Sequence, residues 1–380
     1  MGTDTTIALS HKEFLRADKD HQKAASAAHL RYVKDCQPGI LRMKKGKGFT
    51  YLFNDAVVKD PELLERIRKL VIPPAWTKVW ICADEKGHIQ ATGLDVRHRK
   101  QYRYHPLWNS LRNETKFHRL YEFGKVLPLL RSRVEEDLRA RGLTQEKVLA
   151  TVVSLMERTF IRVGNYEYEK ANGSYGLTTL KNNHVSVSGD KIVFSFTGKK
   201  GIHHEVTLRN KRLARIVAQC HDVPGKELFE YYDEEGGRHP VDSGMVNNYI
   251  REATREDFSA KDFRTWAGSL HALQEFREVG EAGSEAETKR NINAVLDSVS
   301  AKLGNTRAVC RKYYVHPGLI KLYEENKLVK YLGEKDTPEG DLAGRAEQAG
   351  PGERAELGER AGLSAGEKVL MKILRKYISV

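Results

Sequence analysis

Polar residues dominate the first 20 positions, and from about residue 22 the apolar residues fall into short blocks that alternate between helix-like and strand-like spacing. Ala24 to Lys34 reads as a helix, Gly48 to Phe53 as a strand, and Pro61 to Leu70 as a helix with proline in its first turn. Val79 to Ala83 and His88 to Thr92 flank Asp84-Glu-Lys-Gly87, which predicts a hairpin. A dense basic and aromatic run follows, Arg97-His-Arg-Lys-Gln-Tyr-Arg-Tyr-His105. These elements predict one small mixed α/β domain over 21–108, behind a disordered start over 1–20.

The pattern then lengthens. Trp108 to Arg141 and Thr144 to Thr159 read as long helices, with Thr144 placed to cap the second. Strands are predicted for His184 to Ser188, Lys191 to Thr197 and His203 to Leu208, and Gly198-Lys-Lys-Gly201 makes a tight turn between the last two. Helices fill the rest to about 332, punctuated at Gly236-Gly237, Gly280 to Gly283 and Gly304. The fold class is therefore α+β: a small N-terminal mixed α/β domain and a larger, mainly helical domain over 109–332 with a small antiparallel sheet. From Glu334 to Glu367 nine acidic residues stand against four basic ones, with seven Gly and six Ala. Apolar anchors are scarce there, so 333–367 reads as an acidic linker or tail. Residues 368–380 can form a short basic amphipathic helix.

Charge changes the picture. The 380 residues carry a net charge of +13, and residues 1–333 alone carry +14. Such a surplus favours a polyanion, because each cation set on a phosphate releases a condensed counterion. No stretch approaches 18 uninterrupted apolar residues, so no segment is expected to span a bilayer. Cys36, Cys82, Cys220 and Cys310 are widely spaced with no Cys-x-x-Cys pair, and the start lacks a signal-peptide pattern. Both point to a reducing cytoplasm. There is no Gly-x-x-x-x-Gly-Lys-Ser/Thr loop for ATP and no His-Glu-x-x-His. His203-His204-Glu205 would alternate across a strand. No cofactor and no metal are expected.

The remaining chemistry lies in cations and phenols. Breaking a phosphodiester without metal needs a nucleophile, cations on the non-bridging oxygens, and a proton for the leaving oxygen. Tyrosine can attack and form a covalent ester. Arginine grips phosphate oxygens and stays charged. Lysine can supply the proton if neighbouring cations depress its pKa. Tyr313 and Tyr314 are equal contenders on residue type alone, and Lys200 competes with Lys199 on the same turn. Arg162 could be a structural ion-pair residue, and Arg264 could simply pair with Asp262.

Ordered blocks separate these alternatives. Val71-Ile-Pro-Pro-Ala-Trp76, Arg99-Lys-Gln-Tyr-Arg-Tyr-His105, Arg162-Val-Gly-Asn165, Tyr175-Gly-Leu-Thr-Thr-Leu-Lys-Asn-Asn-His184, Phe196-Thr-Gly-Lys199, Lys261-Asp-Phe-Arg-Thr-Trp266 and Gly304-Asn-Thr306 leading to Tyr314 resemble the poxvirus-type and bacterial type IB DNA topoisomerases over residues 30–325. The resemblance implies a tyrosine recombinase/topoisomerase-like catalytic fold. It implies ATP-independent relaxation of supercoiled duplex DNA through a 3′-phosphotyrosyl intermediate, by a monomer whose two domains clamp the duplex. In it Tyr314 looks like the nucleophile, Arg162 and Arg264 like the arginines on the scissile phosphate, and Lys199 like the general acid. Asn305 stands where poxviral members carry histidine. It can donate a hydrogen bond but carries no charge. A tyrosine recombinase is the alternative, since it shares this chemistry, but it usually has His-x-x-Arg where this chain has Lys261-Asp-Phe-Arg264.

Two geometric expectations follow. Asn305 and Tyr314, nine residues apart, would point to opposite faces of an unbroken helix, about 900° of turn away. Gly304 should break the chain, leaving Asn305 outside the helix of Tyr314 or at its start. In the basic run, Arg97, Arg99, Lys100 and Arg103 should meet phosphates with Tyr104 among them, and Gln90 could reach an adenine edge in the major groove.

Overall fold

The computed structural model describes residues 9–332 and 362–378. It divides into two compact units, Met1–Arg119 and Leu120–Val380.

In the first unit, α1 (His11–Lys19) and α2 (His21–Ala27) precede a six-stranded antiparallel sheet. The start expected to be loose is thus helical over His11–Lys19. Ser10 and Glu13 form a capping box, and Phe14 and Ala17 are buried. The helix expected over 24–34 stops at Ala27 because His29 turns left-handed (φ 55°) and Arg31 bridges to the hairpin turn at Gly87. The sheet contains β1 (Ile40–Lys45), β2 (Gly48–Phe53), β3 (Ala56–Val57), then α3 (Pro61–Lys69), β4 (Thr77–Ile81), β5 (Ile89–Leu94) and β6 (Lys100–Tyr104). Its order is β3-β2-β1-β4-β5-β6. β1 escaped the apolar pattern because Arg42 occupies an inward position. That guanidinium is spent on the carbonyls of Ile72, Pro73 and Trp76 and lies 4.1 Å over the Phe49 ring. Ile40, Ile67, Val79, Ile81 and Ala91 form the core under α3. A second small core holds Phe14, Leu30, Trp108 and Leu111. It draws the first turns of the next helix, α4 (Pro106–Asp137), into this unit, past the expected boundary at 108.

In the second unit α5 (Gln145–Thr159) is buried on nearly every side, with Thr144 capping Lys147 N. Around it stand α6 (Tyr166–Asn172), the antiparallel sheet β7 (Val185–Ser188), β8 (Lys191–Thr197) and β9 (His203–Arg209), and α7 (Lys211–His221). The hairpin β10 (Glu230–Tyr232) and β11 (Arg238–Pro240) leads to α8 (Ser243–Thr254), α9 (Ala260–Val279) and α10 (Glu285–Leu303). Then follow α11 (Arg307–Tyr313), α12 (Pro317–Glu324), α13 (Val329–Leu332) and α14 (Ala365–Ile378). One contiguous apolar core joins α4, α5, the sheet, α7 to α10, α12 and α14. Most of the expected acidic linker, residues 333–361, lies outside the described residues. No helix among the described residues is long and apolar enough to cross a membrane.

Candidate active site

Four of the five residues singled out for chemistry meet in the second unit. α5 ends at Phe160 in a left-handed cap (φ 57°), and the extended segment beyond it carries Arg162. That segment is pinned by Leu177 N to Arg162 O (2.9 Å) and Thr178 N to Val163 O (2.7 Å). Arg264 sits early in α9, whose N-terminus is closed by a Ser259–Asp262 capping box. Asp262 accepts from Ser259 N (2.9 Å) and Ser259 Oγ (3.0 Å). Arg264 instead donates to two carbonyls, Phe160 O (2.6 Å) and Leu303 O (2.7 Å). Both are orphan acceptors at helix C-termini, where a cation is also favoured by the helix dipole.

Gly304 makes the elbow. It caps α10 in the left-handed region (φ 58°), Asn305 lies outside both helices, and Thr306 caps α11 through Val309 N. A side chain at 304 would also strike the His204 ring, 2.4 Å from its Cε1. Arg162 Nη2 spans to this elbow, donating to Asn305 Oδ1 (2.9 Å) and Gly304 O (3.2 Å). Tyr314 closes the other end of α11 as its C-cap (φ −127°). Its half-buried ring lies under Arg264, 5.2 Å from the guanidinium carbon. Tyr313 points elsewhere and is exposed, with Lys312 5.5 Å from its ring centre. Gly268, one helical turn beyond Arg264, lets the Tyr314 backbone come close: a Cβ there would be 2.7 Å from Tyr314 O. Ser269 Oγ donates to that same carbonyl (3.2 Å) and accepts from His316 N (3.0 Å).

The electrostatics are those of an anion site. Burial and then the neighbouring Arg264 charge push Arg162 down to about 10. Among the described residues neither arginine has a carboxylate partner. Two cations in each other's field, largely out of water, are stabilised by an anion bridging them. His204 is also lowered, by burial first and then by Arg162 and Arg264, so it is neutral at pH 7.

Lys199 is the residue not brought into contact. It stands exposed on the 3-10 turn between β8 and β9 and makes no hydrogen bond or ion pair among the described residues. Lys200 beside it is left-handed (φ 66°). The base of the turn does reach the cluster: Gly198, His204, Arg162 and Phe160 line one crevice. His204 is an inward position between exposed His203 and Glu205, so the strand separates this trio as alternation requires. Sequence reasoning missed its role as a wedge between Gly198 and Gly304, as well as the close approach at Gly268. In hindsight a glycine one turn past a site arginine was the available signal.

The first unit places the basic run mainly on edge strand β6. Lys100, Tyr102 and Tyr104 share its exposed face, the two rings stacked at 5.6 Å. Lys100 pairs with Asp35 (2.6 Å), Arg99 with Asp95 (2.8 Å), and Arg103 donates to Val71 O (2.7 Å) on the other face. Arg97 is exposed in the preceding turn. Gln90 corrects the expectation. It is 4 % exposed, its amide donates to Glu85 O and Gly87 O (both 2.8 Å), and it accepts from Arg66 Nη1 (3.3 Å). Its polar atoms organise the hairpin turn and are not presented to a base.

Residues 105–335 match the family model described as the catalytic core of eukaryotic DNA topoisomerase I, and residues 48–95 match that of the N-terminal domain of bacterial DNA topoisomerase IB. The chain is 33% identical over 304 residues to a DNA topoisomerase 1B of Acanthamoeba polyphaga mimivirus, covering 77% of this chain and 90% of that one. It is 23% identical over 299 residues to the DNA topoisomerase 1B of Vaccinia virus (strain Copenhagen), covering 77% and 92%.

Proposed function

The chain belongs to the type IB DNA topoisomerases, and on that premise we propose that Tyr314 is its nucleophile, Arg162, Arg264 and Asn305 its phosphate-binding groups, and Lys199 its general acid. Enzymes of this family relax supercoiled duplex DNA by transient cleavage of one strand, without ATP. In the proposed step the Tyr314 phenol gives up its proton to solvent water as Oη bonds to phosphorus. The bond from phosphorus to the 5′ oxygen breaks, and Lys199 Nζ gives that oxygen a proton. The resulting 3′-phosphotyrosyl ester conserves the bond energy. The free end rotates, and the 5′ hydroxyl attacks the ester to restore the strand and the phenol.

The observation that carries this reading is the pair of arginines without a carboxylate partner among the described residues, one over the Tyr314 ring and one bonded to Asn305. Preorganised donors of this type are each worth about 10²–10³ in rate. Asn305 supplies hydrogen bonding without charge, which assigns it to phosphate binding and leaves proton transfer to Lys199. The exposed turn of Lys199 suits a group that engages only when DNA is bound, since catalytic contacts often tighten in the complex.

The enzyme would act as a monomer closing around duplex DNA in the bacterial cytoplasm, at the nucleoid. Arg97, Arg99, Lys100, Arg103 and Tyr104 would meet the duplex, chiefly its phosphates. The test is plasmid relaxation in EDTA without ATP, with trapping of the covalent adduct. Tyr314→Phe should bind duplex DNA normally and yield neither relaxation nor adduct. An adduct in that variant would refute the assignment.

A further inference from the structure

Two of the contacts that α14 makes with the rest of the second unit lead to the reacting residues. The helix opens on a capping box: Glu367 N donates to Ser364 Oγ (3.3 Å), and Ser364 N donates to Glu367 Oε2 (2.8 Å). Its apolar stripe, Val369, Leu370, Ile373 and Leu374, is buried in the main core. At its start the Glu367 carboxylate, 3% exposed, accepts from the Trp266 indole Nε1 (3.1 Å) and from Arg131 Nη2 (2.7 Å) and Nη1 (3.0 Å). Arg131 also holds Glu157 through Nε (2.8 Å). At its end the Tyr377 ring meets the His316 ring edge-on, 4.4 Å between centroids.

These contacts sit behind the site. Trp266 is two residues past Arg264, about 200° around α9, so Glu367 holds the back of the helix whose front presents Arg264. His316 is fully buried two residues past Tyr314. Its backbone N–H is joined to Tyr314 O through Ser269 Oγ, and its Nδ1 accepts from Gly318 N (3.0 Å). A buried carboxylate is tolerated only when its partners are complete, and removing it strands the partner charge. α14 also lies beyond residue 335, where the match to the catalytic-core family model ends.

We infer that α14 is a positioning element of the cleavage reaction: Glu367 and Tyr377 hold Arg264 and Tyr314 in register through Trp266 and His316. The inference rests on the roles proposed above for Arg264 and Tyr314. Neither positioning residue touches a reacting atom. Their effect is on the rate of ester formation and not on the grip on DNA, because α14 bears on α9, which carries Arg264, and on His316, which caps α12 two residues past Tyr314.

The test uses full-length Glu367→Ala, Tyr377→Ala and Tyr377→Phe beside the parent and Tyr314→Phe. Single-turnover cleavage of a labelled duplex and its Kd by anisotropy are measured below each unfolding midpoint. Glu367→Ala and Tyr377→Ala should slow cleavage by at least about ten-fold, with Kd changed by less than about three-fold. Tyr377→Phe, which keeps a ring against His316, should recover most of the rate lost in Tyr377→Ala. Cleavage at the parent rate in both alanine variants overturns the inference. So does a parallel loss of cleavage and binding, or a Tyr377→Phe no better than the alanine. Adduct formation by Tyr314→Phe would instead bring down the nucleophile assignment, and this inference with it, whatever the α14 variants do.

Discussion

Replacing Gly268 with alanine separates site geometry from stability. In mid-helix the substitution adds roughly 0.8–1 kcal/mol of helix propensity. The new Cβ, however, would stand 2.7 Å from Tyr314 O and 3.0 Å from Tyr314 Cβ. Ordinary contacts are about 3.5–4.0 Å, so the Tyr314 segment must retreat by roughly 0.5–1 Å. Overpacking of this kind costs about 1–3 kcal/mol. The two effects largely offset, and net destabilisation should be no more than about 2 kcal/mol, leaving the protein folded. Cleavage has no such compensation. The retreat moves the phenol relative to Arg264 and loosens the Ser269 Oγ bond to Tyr314 O. A misplacement near 1 Å costs up to about 10²-fold in rate, so single-turnover cleavage should fall about ten- to hundred-fold with duplex Kd unchanged. The assay is adduct formation against time on a duplex oligonucleotide, with a thermal melt on the same preparation. A rate within about two-fold of the parent, with the melt unaltered, would show that the close approach does not set the nucleophile's position.

Other perturbations read other parts of the molecule. Gly304→Ala places Cβ in the left-handed region and against His204; about 1–2 kcal/mol of backbone strain plus that contact should lower the melting temperature and slow cleavage together. Arg97→Ala should weaken binding equally on all duplex sequences and reduce the slope of log K against log salt by about 0.9, measured by anisotropy over a salt series. His118 gives a pH test: burial first, then nearby His11, lower it to about 4. It stacks on Phe14 at 4.1 Å. Because the folded value lies below the unfolded one, the unfolded chain binds more protons between about pH 6.5 and pH 4. Stability is thus full above pH 6.5 and falls as pH drops through that window, by on the order of 2–3 kcal/mol. Melts at pH 7 and pH 4.5 should show less of this loss in His118→Phe than in the parent.

Much of the local structure was readable because local rules governed it. Lys191 to Thr197 is a strand of those bounds, and Pro61 opens α3. Gly304 breaks the chain where expected, because glycine takes the left-handed cap that ends α10 and leaves Asn305 outside both helices. Where a residue's role depended on distant partners, the reading failed. Arg42 hides β1, since its charge is met by three carbonyls supplied from 30 and more residues away. Gln90 was read as a groove-facing amide, but the turn at Glu85 and Gly87 consumes its donors.

The candidate site divides the same way. Residue types narrowed the chemistry to phenols, arginines and lysines, because phosphoryl chemistry restricts which side chains can serve, and the resemblance to the type IB topoisomerases singled out Tyr314, Arg162, Arg264, Lys199 and Asn305 among them. Which tyrosine meets the arginines is a tertiary fact: α11 ends at Tyr313, and the following C-cap turns Tyr314 beneath Arg264 while Tyr313 faces solvent. Arg264 does not meet Asp262, because two residues apart on α9 they point about 200° away from each other, Asp262 accepts from capping Ser259, and two helix ends offer Arg264 their carbonyls. The basic C-terminal segment was legible as an amphipathic helix. Where it docks is a tertiary fact: Val369, Leu370, Ile373 and Leu374 join the main core, and Glu367 meets Arg131 and Trp266, partners that lie 236 and 101 residues away in sequence.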